Sequence, residues 1–263
     1  MKFVFIKKRS AVYFSVLTLL LAGCILGVYF ANAAMVWSNI SNRNLPIHSV
    51  ETSENKVALT FDASFGATRT EAILDILETN NVPATFFATG QWMETHSEAV
   101  NKLVASNRIE FGSLSNTHPH MTRLNSRQME LELSSSNTII ENATGTRPKL
   151  FRAPYGEFSD QLLNAAASQS LTTIQWDVDA LDWQNLSSYD IASRVMAQMD
   201  RGSIIRMQND GRNTLNALSA IILAIQNRGF TITTVGNLIY TDNYTINQAG
   251  RQTRTQATNA TQS

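Results

Sequence analysis

The chain has 263 residues, of which 43% are apolar and 16% charged, and its formal net charge is zero. A chain of this length can bury one sizeable core, and a single folded domain of about 190 residues is the natural expectation. Balanced charge gives no basic face for nucleic acid, and the one cysteine, Cys24 in an apolar run, excludes a disulfide framework and a cysteine-based metal site.

The first predicted element is apolar. Lys2, Lys7, Lys8 and Arg9 precede "AVYFSVLTLLLAGCILGVYF", twenty residues without a charge. At 1.5 Å per residue a helix of that length spans a hydrocarbon core of about 30 Å. Positive charge before the run and none just after it keeps the N-terminus inside and sends the rest out. The run exceeds the ~7–15 residues of a signal-peptide core, so residues 1–34 read as a basic cytoplasmic stub and an uncleaved membrane anchor over 11–32. An Ala-x-Ala pattern in "ANAA" at 31–34 makes a secreted form, after signal cleavage, the alternative. On either reading the folded part works outside the cytoplasmic membrane, beyond a linker at 35–54.

Over residues 55–240 short apolar or β-branched runs recur: "VALTF" (57–61), "ATFFA" (84–88), "IEFGS" (109–113), "KLFRA" (149–153), "TTIQWDV" (172–178), "SIIRM" (203–207) and "TITTV" (231–235). Helical stripes lie between them, such as Ile73, Ile76 and Leu77, or Met129, Leu133, Ile139 and Ile140. Asn125 with Gln128, and Ser187 with Asp190, have the spacing of N-terminal caps, and Gly229 follows "IQNR" as a C-terminal stop. Seven strands alternating with helices predict an α/β fold with a parallel sheet, either open and doubly wound or closed into a barrel. The barrel is favoured because unusual polar residues follow the strands directly: Asp62, His118, Arg152, Asp179, Asp182 and Gln208. In a β/α barrel those positions converge on the C-terminal mouth, where active sites sit. Residues 241–263 are Gln, Thr, Asn and Ser with little to bury, and are expected to be a disordered tail.

Five of these segments carry a resemblance. "ALTFD" at 58–62, "SNTHPHM" at 115–121, "FRAPYG" at 151–156, "DALDW" at 179–183 and "GSII" at 202–205 stand in the order and spacing of the polysaccharide deacetylase family, the NodB homology domain. The "TFDASFG" run brings the chain nearest to the PdaB-like sporulation deacetylases. The resemblance covers roughly residues 55–240 and implies an irregular (β/α)7 barrel, here preceded by one transmembrane helix. It also implies metal-dependent hydrolysis of the N-acetyl groups of peptidoglycan or chitin-like N-acetylglucosamine polymers. In the family an Asp and two His hold a divalent metal, commonly zinc, whose bound water attacks the acetamide carbonyl. A neighbouring Asp is the base and a later His the acid.

Residue by residue, Asp62 matches the base, Arg152 the arginine that steadies it, and Asp182 the carboxylate that orients the acid, with Asp179 a second candidate for that role. Tyr155 and Trp183 match the substrate groove, while Trp176, within a predicted strand, reads as core. The ligand position after the base is Ala63, the first His of the ligand pair is Leu114, and the acid His is Gln208; only His118 remains of the pair. Leucine offers zinc no lone pair, and glutamine cannot donate a proton at neutral pH. His120 is a candidate substitute ligand, because two residues along an extended segment both rings point the same way. His48 and His96 match nothing and read as surface residues. The divalent metal is therefore expected to be bound weakly or not at all. The leading expectation is a degenerate, glycan-binding family member; the alternatives are an active deacetylase and a catalytically inactive envelope or spore scaffold on the same barrel.

Overall fold

The structure, a computed structural model, describes residues 44–255. The expected anchor over 11–32, the "ANAA" pattern and residues 256–263 lie outside them; among the described residues no helix is long and apolar enough to cross a membrane. In chain order the elements are β1 (Ser49–Val50), β2 (Lys56–Ala63), α1 (Thr70–Thr79), β3 (Ala84–Ala88), α2 (Gly90–Thr95), α3 (Ser97–Ala105), β4 (Ile109–Ser113), α4 (Ser126–Thr144), β5 (Leu150–Phe151), α5 (Asp160–Ser168), β6 (Thr172–Thr173), β7 (Val178–Asp179), α6 (Ser188–Gln198), β8 (Ile204–Gln208), α7 (Thr214–Asn227), β9 (Thr231–Thr233), α8 (Val235–Leu238), β10 (Tyr244–Ile246) and β11 (Arg251–Arg254).

The main sheet is parallel throughout and curls in the order β6-β5-β4-β3-β2-β8-β7, with β9 paired to the start of β2. It is a half-barrel rather than a ring closed by strand pairing. The predicted strand "TTIQWDV" is in fact two strands, β6 and β7, lying at opposite edges. The ladder breaks because the next residues pair with the N-terminal segment: the Gln175 amide donates to the Ile47 carbonyl at 2.7 Å, and Ile47 bridges Ile174. Ser49 bridges Ser203 ahead of β8, so the segment from Ile47 to Val50 runs from the end of β6 to the start of β8. Residues 45–50 are thus part of the fold and not a linker; Ile47 and Val50 are buried.

The tail is also corrected. β11 pairs parallel with β1 and antiparallel with β10, so residues 244–254 are ordered into a small second sheet. Its order comes from backbone pairing, from one buried amide and from Ile246 packing against the inner apolar cluster that holds Val50. Gln252 accepts from the Tyr240 amide at 2.8 Å and donates to the Tyr240 carbonyl at 2.7 Å.

β2 shows how the sheet places the site. Successive side chains alternate faces: Val57, Leu59 and Phe61 join the cluster under α1 and α7, while Ala58 packs inside the curl with Phe87, Leu114 and Ile204. Thr60 and Asp62 share that inner face by the same alternation. The helix signals are realised as read. Asn125 and Gln128 form a reciprocal capping box on α4, the Ser187 side chain accepts from the Asp190 amide, and Gly229 takes φ 75° after α7.

Candidate functional site

Parallel strands bring their C-terminal ends to one side, and a buried charge cluster forms there. Asp62, near the end of β2, is 5% exposed and accepts from two guanidiniums. Arg152 Nη1 donates to its Oδ1 at 2.7 Å, and Arg206 Nε, from the inner face of β8, donates to its Oδ2 at 2.7 Å. Arg152 is fully buried, donates also to the Thr60 hydroxyl at 2.8 Å and to the Gln175 carbonyl at 3.2 Å, and lies over the Phe87 ring. Arg206 reaches further: its Nη1 donates to Asp179 Oδ2 at 3.1 Å, and its guanidinium stacks 4.2 Å over Trp176. Two cations meet two anions.

Burial pushes the Asp62 carboxyl up, but the Arg152 and Arg206 guanidiniums outweigh it and hold the group below the usual carboxylate range. Arg206 is likewise lowered by burial and carried above its ordinary value by Asp62 and Asp179. A general base needs a free lone pair near the proton it takes and a pKa near the working pH. Asp62 has both oxygens engaged by charged donors and the wrong shift.

Asp182 stands in the turn after β7 and is 1% exposed. It accepts from the Gln208 amide at 3.0 Å and from the Thr214 hydroxyl at 2.5 Å. Burial raises it to about 6 against those two hydrogen bonds. Asp182 therefore braces the end of β8, and through the backbone of Gln208 rather than its side chain.

The donor set does not fit a metal. Ala63 and Leu114 are buried among apolar side chains, and among the described residues no group of three His, Cys, Asp or Glu can hold an ion. His120 is engaged by other groups: its Nδ1 lies 3.1 Å from the Glu157 carboxylate, and its ring stacks on Tyr155 with centroids 4.1 Å apart. His118, at φ 60°, sits between Phe65 and Tyr155, and its Nδ1 is buried with no hydrogen-bond partner among the described residues. Burial lowers its pKa against the pull of Asp62, with Arg206 lowering it further, so its imidazole is neutral at pH 7.

Above the charges lies an open cleft of about 280 Å³, lined by Asp62, Phe65, Asp182, Trp183, Gln208 and Arg212 among others. Phe65, Trp183 and Tyr155 are 76%, 55% and 52% exposed. The loop that carries Phe65 is fixed from below. Trp92 Nε1 and Asn209 Nδ2 both donate to the Gly66 carbonyl, and His96 Nε2 meets the Phe65 carbonyl at 2.8 Å. Ser115, His118, Tyr155, Leu181 and Asn185 all have positive φ. Such backbone is costly away from glycine and concentrates at binding and active sites.

The residues singled out from sequence are thus gathered at one end of the sheet: Asp62, Asp182, Trp183 and Gln208 line the cleft, Arg152 supports its floor, and His118 and Tyr155 stand beside it. Arg206, Phe65 and Thr214 escaped the sequence reading; a charge inside the apolar run "SIIRM" was the signal for Arg206. Three expectations fail. Trp176 is half-buried between the strands instead of in one, where Arg206 covers it. His48 meets the Trp176 carbonyl at 3.0 Å, and His96 braces the cleft loop, so neither is a bystander on the surface.

Residues 49–174 match the family model for polysaccharide deacetylase. The uncharacterised protein YlxY of Bacillus subtilis is 30% identical over 74% of this chain, which spans 60% of that protein's length. The peptidoglycan-N-acetylglucosamine deacetylase of Bacillus cereus is 29% identical over 71% of this chain and 69% of its own. Among solved structures, the wild-type CE4 family pseudoenzyme of Bacillus anthracis aligns with a TM-score of 0.71 at 30% identity, over 74% of this chain and 68% of that one. A mutant of that pseudoenzyme with restored enzymatic activity aligns with the same TM-score at 31% identity, over 74% and 71%.

Proposed function

The chain belongs to the polysaccharide deacetylase family, and from that premise we propose that it is a glycan-binding member without efficient deacetylase activity. Its partner is an N-acetylated polymer, peptidoglycan or a chitin-like N-acetylglucosamine oligomer. One observation carries the reading: an open cleft with exposed aromatic walls stands over a floor whose base is neutralised by two arginines. Sugar rings stack on aromatic faces, and Tyr155, Trp183 and Phe65 offer those faces at the rim. Hydrolysis has no comparable support, because Ala63, Leu114 and Gln208 stand where the family places two ligands and the acid. A scaffold role is less well supported, since a scaffold has no need of an open cleft with exposed aromatics. The uncharged run at 11–32, behind four basic residues, supports a single-pass anchor with the folded part outside the membrane, and the PdaB-like motifs support a role in sporulation.

The test uses the full-length chain with N-acetylglucosamine oligomers and soluble peptidoglycan fragments. Isothermal titration is expected to show binding, and Trp183→Ala and Tyr155→Ala each to weaken it about threefold to tenfold, in line with ~0.5–1.5 kcal/mol per aromatic contact. Acetate release with added zinc is expected to stay at background. Brisk acetate release would overturn the non-catalytic reading, and oligomers that do not bind at millimolar concentration would remove the recognition reading.

A further inference from the structure

We infer that Arg206 is a built-in cation that takes the electrostatic place of a divalent metal, tying Asp62 to Asp179 and keeping metal ions out of the cleft floor. This rests on the reading of the site as non-catalytic.

The geometry singles out this arginine. Arg152 is enclosed between Phe87 and the backbone of Gln175, donates to the Thr60 hydroxyl, and meets Asp62 from beneath. Arg206 comes from the neighbouring strand and has a different task. Its Nε and Nη1 bind two separate carboxylates, Asp62 Oδ2 at 2.7 Å and Asp179 Oδ2 at 3.1 Å. One planar group bridging two acids does what a bound cation does: it cancels charge and sets the spacing between anions. His118 packs beside Phe65 and Tyr155 at the same end of the sheet, and its Nδ1 has no partner among the described residues. Without the guanidinium, two carboxylates face one space, and hard and borderline divalent ions take such oxygen donors.

Trp176 closes the arrangement. Its ring lies under both guanidiniums, 4.2 Å from Arg206 and 5.4 Å from Arg152, so the cations rest on a π face while their edges face the carboxylates. An aliphatic side chain at 206 leaves Asp179 without its charge partner and Asp62 with one instead of two. A divalent ion that approaches the two carboxylates meets the positive charges of Arg152 and Arg206.

The experiment is a metal titration of the full-length protein and three single variants, Arg206→Ala, Arg206→Gln and Arg206→Lys, followed by thermal melting and by metal content after dialysis. Zinc is expected to leave the melting of the natural chain and of Arg206→Lys unchanged. Arg206→Ala is expected to melt at a lower temperature than the natural chain, to recover with zinc, and to bind zinc at least 100-fold more tightly than the natural chain. Guanidinium chloride at low millimolar concentration is expected to recover part of the same loss, since it supplies the missing cation. If Arg206→Ala does not fold, Arg206→Gln carries the test, because it keeps a polar group of similar reach and removes only the charge. Arg206→Gln with native melting and no response to zinc would overturn the inference, and so would stoichiometric zinc in the natural chain. Oligomer binding measured on the same samples reports separately on glycan recognition, so the two readings fail independently.

Discussion

Asp62 is a carboxylate with almost no access to water, and its charge is tolerable only while both guanidiniums meet it. Removing one member of a buried ionic set leaves an uncompensated charge, which typically costs ~3–5 kcal/mol. Arg152→Met is therefore expected to lower stability by about that amount, read from urea unfolding, because it removes the 2.7 Å contact and leaves the Thr60 hydroxyl without its donor. A loss well below 1 kcal/mol would show that Arg206 alone satisfies the carboxylate. At this scale the pairing of Asp62 with Arg152 was legible, since both stand in motifs that follow strands. Arg206 was not. The run "IIRM" fixes a strand, but neither it nor its periodicity says that the charged residue meets acids from β2 and β7. Only the register Asp62↔Gln208, which sets Thr60 opposite Arg206, brings them together.

Elements show a similar division between local and long-range order. Caps at Asn125 and Ser187 were readable because an N-cap is a local hydrogen bond with a fixed spacing. The split of "TTIQWDV" was not, because it depends on Ile47, more than a hundred positions earlier in the chain, taking the ladder bonds of Ile174 and Gln175. Residues 244–254 escaped for the same reason: composition judges what a segment can bury, and here pairing with β1 supplies the order. The small sheet hangs on Gln252, fully buried with both amide groups on the Tyr240 backbone. Gln252→Leu leaves the Tyr240 amide and carbonyl unpaired, at about 1–3 kcal/mol for each buried group so orphaned. Amide hydrogen exchange is expected to speed up across β1, β10 and β11 while β2, β3 and β8 stay protected. Acceleration of the central strands to the same extent would show that the small sheet is integral to the whole core.

For the molecule as a whole, convergence of strand ends on one face was readable from topology, whereas the balance of charge beneath the cleft was not, and that balance governs the response to pH. Asp182 is raised by burial from 3.8 to about 6, so between those values the folded state holds a proton that the unfolded chain has released. Its contribution to stability is complete below 3.8 and is lost as pH rises through 6. Asp177, whose carboxyl is bonded to the Ser203 hydroxyl and the Ile204 amide, is raised to about 6 by partial withdrawal from water and acts in the same direction, but much of the residue stays in solvent and its share is smaller. His48 and His118 act in the opposite direction. Both are lowered by burial below 6.5, so the folded state resists their protonation and stability falls as pH drops through that region. The natural chain is therefore expected to melt at nearly constant temperature between pH 5 and 7. Asp182→Asn keeps acceptor and donor atoms for the Gln208 amide and the Thr214 hydroxyl and removes only the titration. Its advantage over the natural chain is expected to be near zero at pH 4 and to grow to about 5–11 °C at pH 7.5, taking a shift of roughly two pKa units at 1.36 kcal/mol each and ~2–4 °C per kcal/mol. Calorimetry across that range decides the matter. A difference that is already full at pH 4, or that shrinks as pH rises, would mean that Asp182 stays ionised in the fold and that Thr214 and the Gln208 amide outweigh its burial.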